Sequence, residues 1–278
     1  MKKLLLPISG VLLLLAIALT FKHILFPASM TPAYLIGKYE KSKSVVKKLQ
    51  KVGFTIVSTS KVGKKKMDLV IFTHPGIDSL ANKPKRGFIA GSMRVLINKK
   101  DKEIRITNPN YFLAAFLQDT YNEAEADKYS DMIHKAFGNL QASKDKWPED
   151  KLENFQYMMS QPYYQDVSVL GEGDTNTLVN KIDKKVKKKQ FVFKVKLSED
   201  RFLYGVMPGK RTSKFVDKIG AENALALPWM ILIENGQATM MRGQFYIALA
   251  YPLLSMGTFM TIATVPGAIE KDMKKLFK

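Results

Sequence analysis

The feature that most constrains this fold is a pattern spelled twice. "DLVIFTHPG" at 68–76 aligns with "RFLYGVMPG" at 201–209, and "NPNYFLAAF" at 108–116 aligns with "RGQFYIALA" at 242–250. "MIHKAFGNL" at 132–140 aligns with "AIEKDMKKL" at 268–276 after a two-residue insertion. The three matches keep their order and stand about 134 residues apart, so the chain reads as one unit present in two copies.

The element order agrees. In the first copy "YLIGKY" reads as a strand, and "KSVVKKLQKV" places Val45, Leu49 and Val52 on one helical face. "FTIVSTS" and "MDLVIFTH" have the β-branched content of strands. "GFIAGSMRVLIN" and "EIRITN" are expected to form a hairpin around Lys100-Asp101. Pro109 suits the first turn of the helix "NPNYFLAAFL", and a further helix is expected over 123–138. The second copy opens on the strand "YQDVSVL". Asp174 then caps a helix whose apolar residues Leu178, Ile182 and Val186 recur every four positions. "FVFKVKL" and "RFLYGVM" follow as strands. "PWMILIENGQATMMR" is a hairpin in which Asn235-Gly236 supplies the positive φ angles of the turn. Both copies read β-α-β-β-β-β-α, an α+β fold with an antiparallel sheet and helices on one face. The expected boundaries are an anchor at 1–26, a first copy at 27–140, a charged, proline-bounded linker with one short helix at 141–162, and a second copy at 163–278.

"FLYGVMPG", followed about twenty residues on by "LPWMILIENGQATMM", resembles the bacterial and archaeal domain-of-unknown-function 302 family. Members carry a strand ending in an Asn-Pro or similar turn, a Leu-Pro motif leading into an apolar strand, and a Gly turn. Pro208-Gly209, Leu227-Pro228 and Asn235-Gly236 stand in those places. The first copy has His74-Pro75-Gly76 but Gly91-Ser92 where Leu-Pro would stand. The resemblance covers 34–140 and 163–278. It implies a small fold of the TATA-binding-protein-like or helix-grip kind, in a family often paired as dimers, so that two copies here would make an intrachain pseudo-dimer. It brings no established chemistry, and no catalytic residue is carried over from it.

At the N-terminus Lys2 and Lys3 precede an uncharged run from Leu4 to Phe21. As helix this run would span about 27 Å, close to a bilayer's hydrocarbon core. The paired lysines favour a cytoplasmic N-terminus with the remainder translocated. A cleaved signal peptide is the competing reading, but its best site, at Ala16 and Ala18, lies inside the apolar run. The expectation is a single-pass protein of the bacterial inner membrane with its body facing the periplasm. Pro27 and Pro32 mark a short connector.

The chain holds 44 basic and 25 acidic residues, for a formal charge of +19. The excess is lysine, whereas nucleic-acid readers lean on arginine for bidentate contacts. No nucleic-acid partner is expected, and a solvated face or a surface near anionic lipid is. Absence of cysteine excludes disulfides, thiolate metal sites and cysteine nucleophiles.

No catalytic constellation stands out, and the reading leans away from an enzyme. Glu123, Glu125 and Asp127 sit on a polar helix face, and "GEGD" at 171–174 lacks the ending of a phosphate loop. The lysines of "KIDKKVKKK" form the wet face of their helix. His23 belongs to the anchor's end, and His134 reads as a surface residue. His74 and Met207 hold equivalent places in the two copies, so they are the candidate ligands for a copper or haem iron; the plainer alternative is that both flank turns as core residues. No cofactor is expected.

The remaining puzzle is the charge-free stretch after Arg242. As one helix, Phe245 to Val265 would be about 32 Å long, enough to span a bilayer. Pro252, Gly257 and Pro266-Gly267 cut it into shorter pieces, and the matching part of the first copy is acidic. The stretch therefore reads as part of the folded body. Its excess apolar surface would bury against the first copy, line a pocket or rest on a membrane. Phe245, Tyr246, Leu249, Tyr251, Leu253, Met256, Phe259 and Met260 are the candidate surface for an apolar ligand or partner. The expected role is non-catalytic binding of an apolar ligand, lipid or protein partner at the envelope. The alternatives are a redox-linked metal or haem protein and a purely structural envelope component.

Overall fold

Runs rich in Val, Ile, Phe and Leu form two antiparallel sheets in the computed structural model of the protein, which describes residues 29–63 and 67–278. The expected anchor at 1–26 and His23 lie outside the described residues. The first sheet uses β2 (Tyr34–Lys38), β3 (Thr55–Val62), β4 (Met67–Thr73), β5 (Arg94–Asn98), β6 (Glu103–Thr107) and β7 (Gln141–Ala142), in the order β3-β4-β5-β6-β2-β7. A short strand ahead of it, β1 (Met30–Pro32), pairs with β8 (Lys146–Pro148). The second sheet uses β9 (Ser168–Glu172), β10 (Phe191–Ser198), β11 (Arg201–Val206), β12 (Trp229–Glu234) and β13 (Gln237–Met240), in the order β10-β11-β12-β13-β9. Apart from the added β7, both sheets run through their strands in the same relative order. The β12–β13 turn has Asn235 at φ 51° and Gly236 at φ 73°, as the Asn-Gly pair predicts.

Helices follow the strands as the apolar periodicity requires. In α1 (Ser42–Lys51) Val45 and Leu49 face inward. Next come α2 (Pro75–Ala81), α3 (Pro109–Leu117) and α4 (Glu123–Phe137). In α5 (Thr175–Lys185) Leu178 and Ile182 are buried, and the Asp174 side chain accepts from the Thr177 N–H at 2.9 Å. The chain continues through α6 (Phe215–Ile219), α7 (Gly243–Ala250), α8 (Met256–Met260) and α9 (Val265–Lys274). Among the described residues no helix is long and apolar enough to cross a membrane.

Every residue of β5 and β12 is buried, which requires cover on both sheet faces. Part of that cover is exchanged between the halves. Residues 87–91, expected as part of a strand, form a buried 3-10 turn (Gly87–Gly91) against the second sheet. The close approach favours glycine there: a Cβ on Gly87 would lie 2.4 Å from Leu232 Cδ1, and one on Gly91 2.7 Å from Phe193 Cζ, so those side chains would have to shift. In return, the turn Ala221–Ala226 lies on β5. The halves also touch at their sheet edges, where Ser58 Oγ on β3 donates to Val192 O on β10 at 2.8 Å.

The 141–162 segment packs against the body. β7 and β8 tie its start to the first half, and Leu152 and Phe155 are buried. The reason is aromatic: Phe155 packs between Trp147, with ring centroids 5.1 Å apart, and Phe245, at 5.8 Å.

Candidate functional site

The stretch after Arg242 folds as three short helices. α7 carries no charge and is buried along nearly its whole length. Gly243 permits this, since a Cβ there would lie 2.7 Å from Pro266 Cα at the start of α9. A buried helix end must satisfy its last carbonyls. Two tyrosines of the first half do so: Tyr111 Oη donates to Leu249 O at 2.9 Å and Tyr34 Oη to Ala250 O at 2.8 Å. Tyr251 Oη accepts from the Ala226 N–H at 2.9 Å and donates to Asn223 O. Burial pushes the Tyr34, Tyr111 and Tyr251 hydroxyls well above the ordinary phenol range, so they stay protonated donors.

Pro252 then turns the chain outward. Tyr157 Oη donates to Leu254 O at 2.9 Å, and Ser255 caps α8 by accepting from the Thr258 N–H at 3.2 Å. The eight candidate apolar residues divide at this point. Phe245, Tyr246 and Leu249 are interior and line no part of the depression beside α8, whereas Tyr251, also buried, lines its apolar part. Leu253, Met256 and Met260 are 59%, 43% and 63% exposed, and Phe259 is half-buried.

Between α7, α8 and the 156–167 segment lies a two-part depression. Its apolar part, about 180 Å³, is walled by Met158, Ala248, Leu254, Met256, Phe259 and Met260. The open part, about 910 Å³, is bordered by Gln156, Tyr163, Gln165, Asp166 and Arg242. Gln161, Gln244 and Phe259 line both, so the two parts adjoin. Such a site can hold an apolar chain at one end and a polar group at the other. Its polar end offers amides, one guanidinium and one carboxylate, with no general acid and base facing each other. Beyond this rim, Glu270 is held below the usual carboxylate range, first by its hydrogen bond from Lys274 at 2.6 Å.

The sequence pointed to α8 through its apolar residues, but not to Met158, Gln161 or Arg242. Residues 154–165 carry no charge, and that was the available signal.

His74 and Met207 are not brought together. His74 follows Thr73, which pairs with Thr55 at the start of β3. Met207 shares a cleft of about 480 Å³ with Val62 and Gly63, at the end of β3. Seven residue steps along β3 separate those ends, roughly 23 Å at the usual rise. The role of His74 is local, since its Nδ1 accepts from the Gly76 N–H at 3.0 Å and so caps α2. Burial, and secondarily Lys128, lower its pKa, which keeps that nitrogen an acceptor. His134 is exposed on α4. Among the described residues no group of three or more His, Asp or Glu side chains is placed to hold a metal.

No protein-family model, curated protein or solved structure matches the chain.

Proposed function

We propose that this is a membrane-held, non-catalytic binding protein of the bacterial envelope, with its body on the periplasmic side, and that its ligand is an amphiphile. The observation that carries the reading is the two-part depression, whose apolar part adjoins a polar one across Gln161, Gln244 and Phe259. The apolar part is smaller than a typical pocket for a whole drug-sized ligand. It suits the end of a single acyl or similar chain, with the polar group out by Arg242 and the glutamines. Methionine walls adapt to such a chain at little cost. A structural role without a ligand would leave this depression unused, and the separation of His74 from Met207 gives the metal reading no support.

The architecture belongs to the same proposal. The shared strand order supports two copies of one β-α-β(4)-α unit, of TATA-binding-protein-like or helix-grip type, closed into an intrachain pseudo-dimer. The resemblance to the domain-of-unknown-function 302 family stands on the quoted turn motifs.

The test is mass spectrometry of lipids extracted from the purified full chain, with Ala248→Trp as comparison, since an indole there fills the apolar pocket. A single-chain amphiphile enriched over bulk membrane lipid in the wild type, and lost from the variant, is expected. Identical lipid profiles from two proteins with the same circular dichroism would refute the reading.

A further inference from the structure

Exposed apolar side chains are normal when scattered; a cluster has a cause. Among the described residues, nine large hydrophobic side chains are exposed, and five of them, Met158, Met159, Leu253, Met256 and Met260, stand on the two segments that wall the apolar pocket. Met158, Met256 and Met260 border the same pocket. Met159 and Leu253 adjoin pocket residues in the chain and are 89% and 59% exposed. The two segments that meet here, 154–165 and 243–269, contain no Asp, Glu, Lys or Arg, in a protein that is 25% charged. A water-facing surface of this chain would carry lysines, as its other faces do. Cations stand at the border, where Lys218 Nζ reaches Thr261 O at 3.4 Å and Arg242 flanks Phe259 in the open cleft.

The patch also lies where the chain enters the body. Met30 pairs with Pro148 and Thr31 with Trp147, whose ring is 6.4 Å from that of Tyr157 in the pocket wall. Asp145, one residue before β8, accepts from the Leu253 N–H at 3.4 Å. Between Phe21, the end of the uncharged run, and Met30 stand the residues 22–29. Even fully extended, that connector reaches no more than roughly 30 Å.

We infer that the patch of Met158, Met159, Leu253, Met256 and Met260 docks into the interfacial layer of the bilayer that holds the N-terminal run, with Lys218 and Arg242 at the level of anionic headgroups. The inference rests on the reading of residues 4–21 as a membrane anchor. Exposed apolar side chains partition into the acyl boundary, and bordering cations add attraction to anionic lipid. Tethering makes the second contact intramolecular, so a patch too weak to bind a membrane alone suffices once anchored. The pocket mouth then opens at the membrane surface, where an amphiphile can pass between bilayer and protein without crossing water.

The chain has no cysteine, so single labels are simple to place. Full-length Met159→Cys and Met260→Cys proteins, each with an environment-sensitive fluorophore, would be reconstituted into phosphatidylethanolamine–phosphatidylglycerol vesicles carrying lipid spin-labelled near the headgroup end of its acyl chains. Lys100→Cys, in the β5–β6 turn at the far end of the first sheet from Met30, is the control. Blue-shifted emission and loss of most of it to the spin label are expected at 159 and 260, with neither at 100. Adding Leu253→Asp and Met159→Asp to the Met260→Cys protein should abolish quenching while the protein still floats with the vesicles. Neither Leu253 nor Met159 lines the pocket, so the two Asp substitutions made in the otherwise unchanged, unlabelled protein should leave amphiphile recovery intact. Floating without quenching at 159 and 260 overturns the docking but leaves the anchor reading intact. A blue shift without lipid quenching means that residues 1–28 or a second copy cover the patch, and also overturns it. Failure to float overturns both readings.

Discussion

Arg94 shows what a single residue contributes. Its guanidinium is wholly buried with no carboxylate beside it. Nε donates to Gly91 O at 2.9 Å and Nη1 to Leu225 O at 2.7 Å, one carbonyl from each exchanged turn, while Nη2 has no partner among the described residues. The group also sits 5.9 Å from the Tyr246 ring centre. A planar fork can bridge two carbonyls in this way, whereas an ammonium is a single point. Arg94→Met should therefore cost on the order of 2–4 kcal/mol, from two unmet carbonyls and imperfect filling, in chemical unfolding. Arg94→Lys should recover only part of it. A loss within experimental error for Arg94→Met would mean that the carbonyls find other partners. In sequence Arg94 is one arginine in a strand of Val, Leu and Ile, and alternation alone would place it on a wet face. Its carbonyl partner Leu225 lies 131 positions away, so nothing local announces the bond.

At the level of elements, capping and chain-breaking residues were largely legible. Asp174 caps α5, Asn235-Gly236 turns β12 into β13, and Pro252 and Pro266 divide the apolar stretch. Position 74 is ambiguous by sequence, because a histidine before Pro-Gly resembles a strand end and is also a helix start. The capping bond needs an unprotonated Nδ1. Burial lowers the folded-state pKa of His74, with Lys128 adding to it and Asp78 opposing. Its stabilising contribution is thus complete above the unfolded imidazole value, about 6.5, and declines as pH falls through that value toward the folded one. His74→Asn, an equally good cap without a titrating ring, should match the wild type near pH 8 and lose less stability between about pH 6.5 and 5. Parallel pH profiles for the two proteins would remove histidine protonation from the account. Residues 87–91 depart from the expected strand for a different reason. Their glycines are favoured by the close approach of Leu232 and Phe193 of the other half, which local propensity does not register.

For the whole molecule, the halves share one interior. An unbroken series of rings runs from Trp147 through Phe155, Phe245, Tyr164, Phe116 and Tyr246 to Trp229, with each neighbouring pair no more than 6.5 Å apart. With exchanged turns and a common aromatic core, neither half keeps its packing without the other, and unfolding should be a single transition. The two tryptophans test this, since one lies beside the first sheet and the other in the second. In Trp147→Phe and Trp229→Phe, the remaining fluorescence should give the same midpoint as far-ultraviolet circular dichroism of the same variant. Midpoints that separate would show two independently stable halves.

The sequence by itself determined the strands, most helices, the order in which they recur and the break-up of the apolar stretch. These depend on side-chain period, caps and prolines, which act within a few residues. Only the tertiary structure decided which side of that stretch is hidden. Phe245, Tyr246, Leu249 and Tyr251 turn inward because tyrosines more than a hundred residues away take up the carbonyls at the end of α7. Leu253, Met256 and Met260 stay outside because Pro252 ends that helix, and the tyrosine met beyond it, Tyr157, takes up only the Leu254 carbonyl. The residues on both sides of this division are equally apolar, so composition could not separate them; the location of hydrogen-bond partners could.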